Sequence, residues 1–145
     1  MRIQEQAKKT MEESYKEDEF YYLEYLMDYY QNPRNHGTIN NPTISYEEGN
    51  PSCSDMIRMD LIVKNGKIED IKFSGKGCVI SQASASILTE MIKGKTVEEV
   101  KKIGKEQILE ALGISISPMR LKCALLSLKV LRAGVYGIKT WPDEE

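Results

Sequence analysis

An apolar strand pattern that runs through two glycines into a cysteine, and then straight into a helical pattern, constrains this chain more than any other stretch. It is Phe73-Ser-Gly-Lys-Gly-Cys78-Val-Ile-Ser-Gln-Ala-Ser-Ala-Ser-Ile87-Leu-Thr-Glu-Met91. Ile80, Ala83, Ser84, Ile87, Leu88 and Met91 recur at the i, i+3, i+4, i+7 spacing of one helix face. Gly75 and Gly77 let the backbone turn and leave room for a close approach. Cys78 therefore stands where a loosened turn enters a helix, and the unpaired N–H groups and positive dipole end there favour thiolate over thiol. Ser81, Ser84 and Ser86 with Ala83 and Ala85 give that helix thin sides that pack tightly or stay accessible. Taken alone, such a cysteine reads as a buried packing residue beside a tight turn. The rest of the chain decides between that and chemistry.

With 145 residues, 41% of them apolar and 29% charged, the chain is long enough for one soluble domain with a core of its own. A net charge of −2 without a basic stripe speaks against nucleic acid as a partner. No apolar run approaches the ~18 residues of a membrane span. Met1 to Glu19 carries Glu5, Glu12, Glu13, Glu17, Asp18 and Glu19 in place of the apolar stretch of an export signal, so a cytoplasmic protein is expected. Three cysteines in a reducing compartment suit metal binding or thiol chemistry better than a disulfide framework.

Residues 1–18 read as a charged N-terminal extension and residues 19–140 as a single domain. Leu23, Leu26, Met27 and Tyr30 share one helical face, read as a core-facing stripe within a tyrosine-rich helix that Asn32-Pro33 must end. His36, the one histidine, lies in the turn-rich loop that follows, with no Cys or His at ligand spacing, and reads as a hydrogen-bonding turn residue. Thr43–Gly49 and Met56–Lys64 alternate as strands. Asn65-Gly66 is a type I′ hairpin signal, and Lys67–Ser74 returns with a change of phase that predicts a bulge near Asp70. After the Cys78 helix, Thr96-Val-Glu-Glu99 is a capping box for a short helix to about Ile103, and Lys105–Leu112 a further helix closed by Gly113. Ser117-Pro118 opens the last helix, to about Val135, with Leu121, Leu125, Leu128 and Leu131 toward the sheet, Cys123 in its second turn, and a frayed tail from Trp141. The fold class expected is α+β: a small antiparallel three-stranded sheet with helices packed on one face.

Cys53, Cys78 and Cys123 include no CxxC pair, so zinc ribbons and fingers are excluded. Each instead stands at the end of a different element, where loops on one side of a small domain can converge. Asp55 lies two residues from Cys53, on the same side of an extended chain. Three thiolates and one carboxylate would form a four-ligand set for a thiophilic metal.

With these residues the chain resembles the U-type iron–sulfur cluster assembly scaffolds, the family of the ISC and SUF scaffolds and of the N-terminal part of the nitrogen-fixation one. The resemblance runs from about Tyr21 to Leu131 and rests on Tyr30-Gln-Asn-Pro-Arg-Asn-His-Gly37, Gly49-Asn-Pro-Ser-Cys-Ser-Asp55, Gly75-Lys-Gly-Cys-Val-Ile-Ser-Gln-Ala-Ser-Ala-Ser86 and Pro118-Met-Arg-Leu-Lys-Cys123. It implies a scaffold that takes sulfur from a cysteine desulfurase, builds a [2Fe-2S] cluster on Cys53, Asp55, Cys78 and Cys123, and passes it to acceptor or carrier proteins. Cys123 is then the candidate persulfide acceptor, with Cys78 second, and Lys122 a positive charge steadying the thiolates. The alternative is a zinc-dependent sulfurtransferase holding Zn²⁺ in the same site, as in the SUF branch. A plain interaction domain with buried cysteines is the third class, and self-association is left open. This sequence departs from the family pattern in places. Ser54 replaces the glycine of Cys-Gly-Asp, and Ile116-Ser-Pro-Met-Arg120 replaces the chaperone-recognition stretch Leu-Pro-Pro-Val-Lys of the ISC branch. Lys122 matches the SUF branch, yet the insertion that branch carries between its last two cysteines is missing.

Overall fold

The computed structural model describes residues 21–51 and 54–144. Residues 1–18, read as a charged extension, and Cys53 lie outside that range. Residues 21–31 form helix α1. Three strands follow: β1 Ile44–Gly49, β2 Met56–Lys64 and β3 Lys67–Lys76. Four helices complete the order: α2 Val79–Ile92, α3 Val97–Lys101, α4 Lys105–Leu112 and α5 Leu121–Tyr136. The strands make an antiparallel meander in the order β1-β2-β3, and the fold is the α+β class expected.

Hairpin chemistry fixes the register. Asn65 and Gly66 both take positive φ, 53° and 72°, as a type I′ turn demands. Ile62 pairs with Asp70 and Val63 with Ile68, so Glu69 is the extra residue of a bulge, beside the position expected. The bulge brings Ile68, Ile71 and Phe73 onto one buried face together with Ile57, Met59 and Leu61 of β2. Against this face α2 supplies Ala83, Ile87, Leu88 and Ile92, and α5 supplies Leu125, Leu128 and Leu131. The small residues of α2 allow its close approach to α5, and the Ser84 hydroxyl donates to the Ala124 carbonyl across the contact at 2.6 Å.

Asp60 is fully buried in the middle of β2. Its carboxylate accepts from the Ser45 hydroxyl at 2.6 Å, the Ile39 amide at 3.0 Å and the Arg58 Nε at 3.0 Å. Burial is the largest influence on this group and pushes its pKa up, but the three donors together outweigh it, and the net shift is downward. A lowered folded-state pKa means the unfolded chain binds more protons, so this stability is present above the ordinary carboxylate value of about 3.9 and is lost as pH falls through the lower folded value. The urea midpoint is expected to fall more steeply below pH 4 in the native protein than in Asp60→Asn. Parallel curves would remove Asp60 as a source of acid sensitivity.

Several local expectations need correction. Leu26 is buried, but Leu23, Met27 and Tyr30 are exposed. Beside Leu26 the half-buried residues are Tyr25 and Tyr29, and a tyrosine row stacks edge to face from exposed Tyr22 through Tyr25 to Tyr29 with centroids 6.4 and 4.8 Å apart. Tyr22 lies against Gly113, where no Cβ would fit, and the Arg34 guanidinium covers the Tyr29 ring at 4.0 Å. The start of the last helix also differs: Pro118–Arg120 is a 3₁₀ turn and Ser117 makes no side-chain cap. Cys123 consequently lies in the first turn of α5, not its second. The tail is not frayed. Pro142 is buried, and the Trp141 ring lies under the Lys122 and Lys129 ammonium groups at 4.5 and 5.0 Å. His36 sits in a bridge to Phe73 with its ring edge-on to that side chain, a packing role.

Candidate metal and sulfur site

Three chain segments meet at one end of the sheet. The first is the β1–β2 connection, closed by the Asn50 amide donating to the Asp55 carbonyl at 3.0 Å. Gly49 pairs with Met56 in the last rung of the ladder, so Asp55 emerges immediately beside it. The second is the turn from β3 into α2. Gly75, at φ 130°, passes directly over the Met56 carbonyl, and Gly77 brings the chain so near Asp55 that a Cβ there would fall 2.5 Å from Oδ1. Cys78 is the N-cap of α2 and has no side-chain cap bond. Its backbone N–H instead donates to Asp55 Oδ1 at 2.9 Å. The carboxylate thus occupies the positive end of α2, which a negative charge stabilises. The third is the entry to α5, where Pro118–Arg120 turns once before Cys123.

The structure brings Asp55, Cys78 and Cys123 together, with one donor atom from each lying within 4.8 Å of the others. Asp55 is 6% and Cys123 3% exposed, whereas Cys78 is half-buried. The Cys78 thiol donates to Asp55 Oδ2 at 3.7 Å, and the Asn50 side-chain amide donates to Cys123 Sγ at 4.0 Å. Cys53 precedes Asp55 by two residues and lies outside the described part.

Lys122, expected to steady the thiolates, is engaged elsewhere: its ammonium lies 3.7 Å from the Glu144 carboxylate and over Trp141. The cation at the sulfurs is Arg120. Hydrogen bonding to Cys123, then the charges of Cys78 and Cys123, push this guanidinium still further up, so it remains a permanent positive charge at the site. Sequence reasoning missed Arg120, although the signal was present. In a helical segment i and i+3 share a face, whereas neighbours in sequence point about 100° apart. Arg120 therefore reaches the side of Cys123, and Lys122 cannot share it.

A small α+β domain carrying one buried and one half-buried thiol and a carboxylate at a loop-and-helix-terminus end is the class that fold and site define. Residues 21–143 match the family model of the NifU-like N terminal domain. The chain belongs to that family, the U-type iron–sulfur scaffolds. It is 44% identical to the zinc-dependent sulfurtransferase SufU of Bacillus subtilis, over 79% of this chain and 88% of that protein. It is 40% identical to the iron–sulfur cluster assembly scaffold protein IscU 1 of Archaeoglobus fulgidus, over 79% of this chain and 74% of that one. The crystal structure of a SUF-system scaffold protein from Fervidobacterium islandicum superposes with a TM-score of 0.69 at 34% identity, covering 77% of this chain and 93% of that one. The first two alignments take the same share of this chain, but they run over 131 positions with SufU and 114 with IscU 1. The sulfurtransferase therefore carries residues that have no counterpart here.

Proposed function

We propose that this protein is a scaffold on which an iron–sulfur cluster of the [2Fe-2S] type is assembled and from which it is handed to acceptor or carrier proteins. The observation that carries this is the donor set: Asp55, Cys78 and Cys123, from three distant parts of the chain, within 4.8 Å of one another. Metal–sulfur bonds of about 2.3 Å in a tetrahedron need donors about 3.8 Å apart. Small side-chain rotations close this set on an ion. Cys53, two residues before Asp55, is the proposed fourth ligand. Two soft thiolates beside a hard carboxylate suit iron or zinc, and the oxygen is the weaker partner.

Sulfur arrives from a cysteine desulfurase. A thiolate here attacks the outer sulfur of the donor's persulfide; a new S–S bond forms, the donor's S–S bond breaks, and the donor leaves as a thiolate. Cys123 is the proposed acceptor, because Arg120 supplies the positive charge that favours its ionised form. Cys78 is the second candidate. The working protein is proposed to be cytoplasmic, where thiols stay reduced. No helix among the described residues is long and apolar enough to cross a membrane. A single domain over residues 19–140 is supported by the extent of the family match.

Identity to SufU favours a second function, a sulfurtransferase with resident Zn²⁺ in the same site. The extra residues of SufU, which this chain lacks, speak against it. Iron, zinc and acid-labile sulfide analysis of the purified protein, with the rate of a desulfurase measured in its presence, separates the two. A scaffold releases zinc to iron and sulfide and leaves desulfurase turnover without a large zinc-dependent rise. Stoichiometric zinc that persists and accelerates the desulfurase would establish the sulfurtransferase.

Asp55 then has two duties, ligand and acceptor for the Cys78 N–H. Asp55→Ala is expected to prolong a bound cluster several-fold and slow its transfer, because ligand exchange begins at the oxygen donor. It also costs about 1 kcal/mol of stability as a lost cap. The decay of visible absorption in the presence of an apo-acceptor reads the first effect. Faster decay in the variant would sink the exchange-position role.

A further inference from the structure

Asn50 is a neighbour of the donor set whose side chain has no place in the fold's own ladder. It is 4% exposed, and its side-chain amide donates to Cys123 Sγ at 4.0 Å, while Cys123 itself is 3% exposed. Its backbone serves separately: the N–H closes the β1–β2 connection onto the Asp55 carbonyl. One residue thus ties the segment that bears Asp55 to the sulfur that α5 presents. Asp55 in turn reaches Cys78 through the amide that starts α2. The contact is dry. At a buried position, an N–H directed at sulfur stabilises electron density on it more than the same contact would at the surface.

We infer that Asn50 is a positioning residue of the site: its side-chain amide hydrogen-bonds the Cys123 thiolate, holds that sulfur in the ligand orientation and makes it a weaker electron donor to a bound metal. This rests on the proposal that Asp55, Cys78 and Cys123 are ligands. The Arg120 guanidinium also lies close to Cys123, but at the surface, since its neighbour Met119 is 90% exposed and the turn that carries it has no buried residue. The two donors therefore differ in a measurable way. Salt screens an exposed guanidinium strongly and a buried neutral amide hardly at all. The backbone duty of Asn50 survives any side-chain replacement, which separates loop closure from the contact with sulfur.

The test loads the full-length protein anaerobically with Co(II), a spectroscopic stand-in for zinc or iron in tetrahedral thiolate sites. Asn50→Ala is expected to move the sulfur-to-cobalt charge-transfer band to lower energy, because a thiolate relieved of its hydrogen bond donates more readily. Release of the metal to a chelator should still accelerate, by up to about 10- to 100-fold, because loss of the contact that orients the sulfur outweighs the stronger donation of a freed thiolate. Both changes should persist between low and high salt, whereas the band shift in Arg120→Met should shrink as salt rises. Asn50→Ser keeps a polar group at the buried position but is too short to reach the sulfur, and gives the same reading where alanine leaves the chain unfolded. A band and a release rate that superimpose on those of the native protein in both variants would overturn the role of Asn50. Absence of any thiolate charge-transfer band in native protein would overturn the ligand set itself, and this inference with it.

Discussion

Cys123→Ser is expected to abolish stable metal or cluster binding while leaving the fold in place. Replacing a partner of a ligand already costs about 10- to 100-fold in affinity. Removing a thiolate from a set of few donors must cost more, and chelator release faster by over about 100-fold is the expected reading. The side chain is nearly inaccessible and small, and a hydroxyl fits the same space beside Asn50 and Arg120. The stability read from urea unfolding should therefore change by no more than about 1 kcal/mol. Under the proposed sulfur route, mass spectrometry after incubation with a desulfurase and cysteine should also lose the added sulfur on this variant. A Cys123→Ser protein that still accumulates persulfide would transfer that role to Cys78. One that still holds a cluster as tightly as the native chain would remove Cys123 from the site altogether.

The second large effect falls on the fold. Gly75 takes φ 130°, a conformation that side-chain-bearing residues rarely adopt, and a Cβ there would run into the Met56 carbonyl and carbon and to within 3.2 Å of Ile57 Cα. Backbone atoms in a paired strand cannot step aside as a flexible side chain would. Strain at such a position is of order 1–3 kcal/mol, and forced overpacking adds about as much. Gly75→Ala should therefore lose roughly 2–5 kcal/mol, a large part of the 5–15 kcal/mol typical of a domain. It should also disturb the end of the β2–β3 ladder, where Met56 opposes Lys76, and with it the approach of Asp55 to Cys78. Equilibrium urea unfolding measures the loss. By contrast, Gly66→Ala meets open space and should show only the smaller cost of its positive φ. Equal midpoints for Gly75→Ala and the native protein would mean the close passage over Met56 is not a constraint.

Much of the fold could be read from the chain because short-range chemistry sets it. Asn65-Gly66 takes a turn that few other pairs can adopt, the change of phase after Lys67 announces the bulge at Glu69, and Gly113 ends α4 in the left-handed conformation. The entry of Cys78 into α2 follows from the glycines before it and the periodicity after it. What could not be read depends on contacts between distant segments. The inward face of α1 is chosen by Gly113 and Arg34, which receive tyrosine rings, so the aliphatic stripe of Leu23 and Met27 points the wrong way. Trp141 and Pro142 look like a loose tail until α5 presents Lys122 and Lys129 to them. That same contact occupies Lys122. The i, i+3 spacing of Arg120 and Cys123 was legible, but which of the two basic residues is drawn away from the sulfurs depends on where the chain beyond α5 returns. Asn50 was hidden for a similar reason, since its role depends on a sulfur 73 positions further along the chain.

The measurement that bears most directly on the scaffold function is anaerobic reconstitution of the full chain with ferrous iron, cysteine, a cysteine desulfurase and reductant, read by visible absorption with iron, sulfide and zinc analysis. The expected product is a coloured protein carrying iron and acid-labile sulfide in equal amounts, with the colour passing to an apo-acceptor added afterwards. A colourless protein that retains only zinc and carries sulfur solely as a persulfide would contradict it.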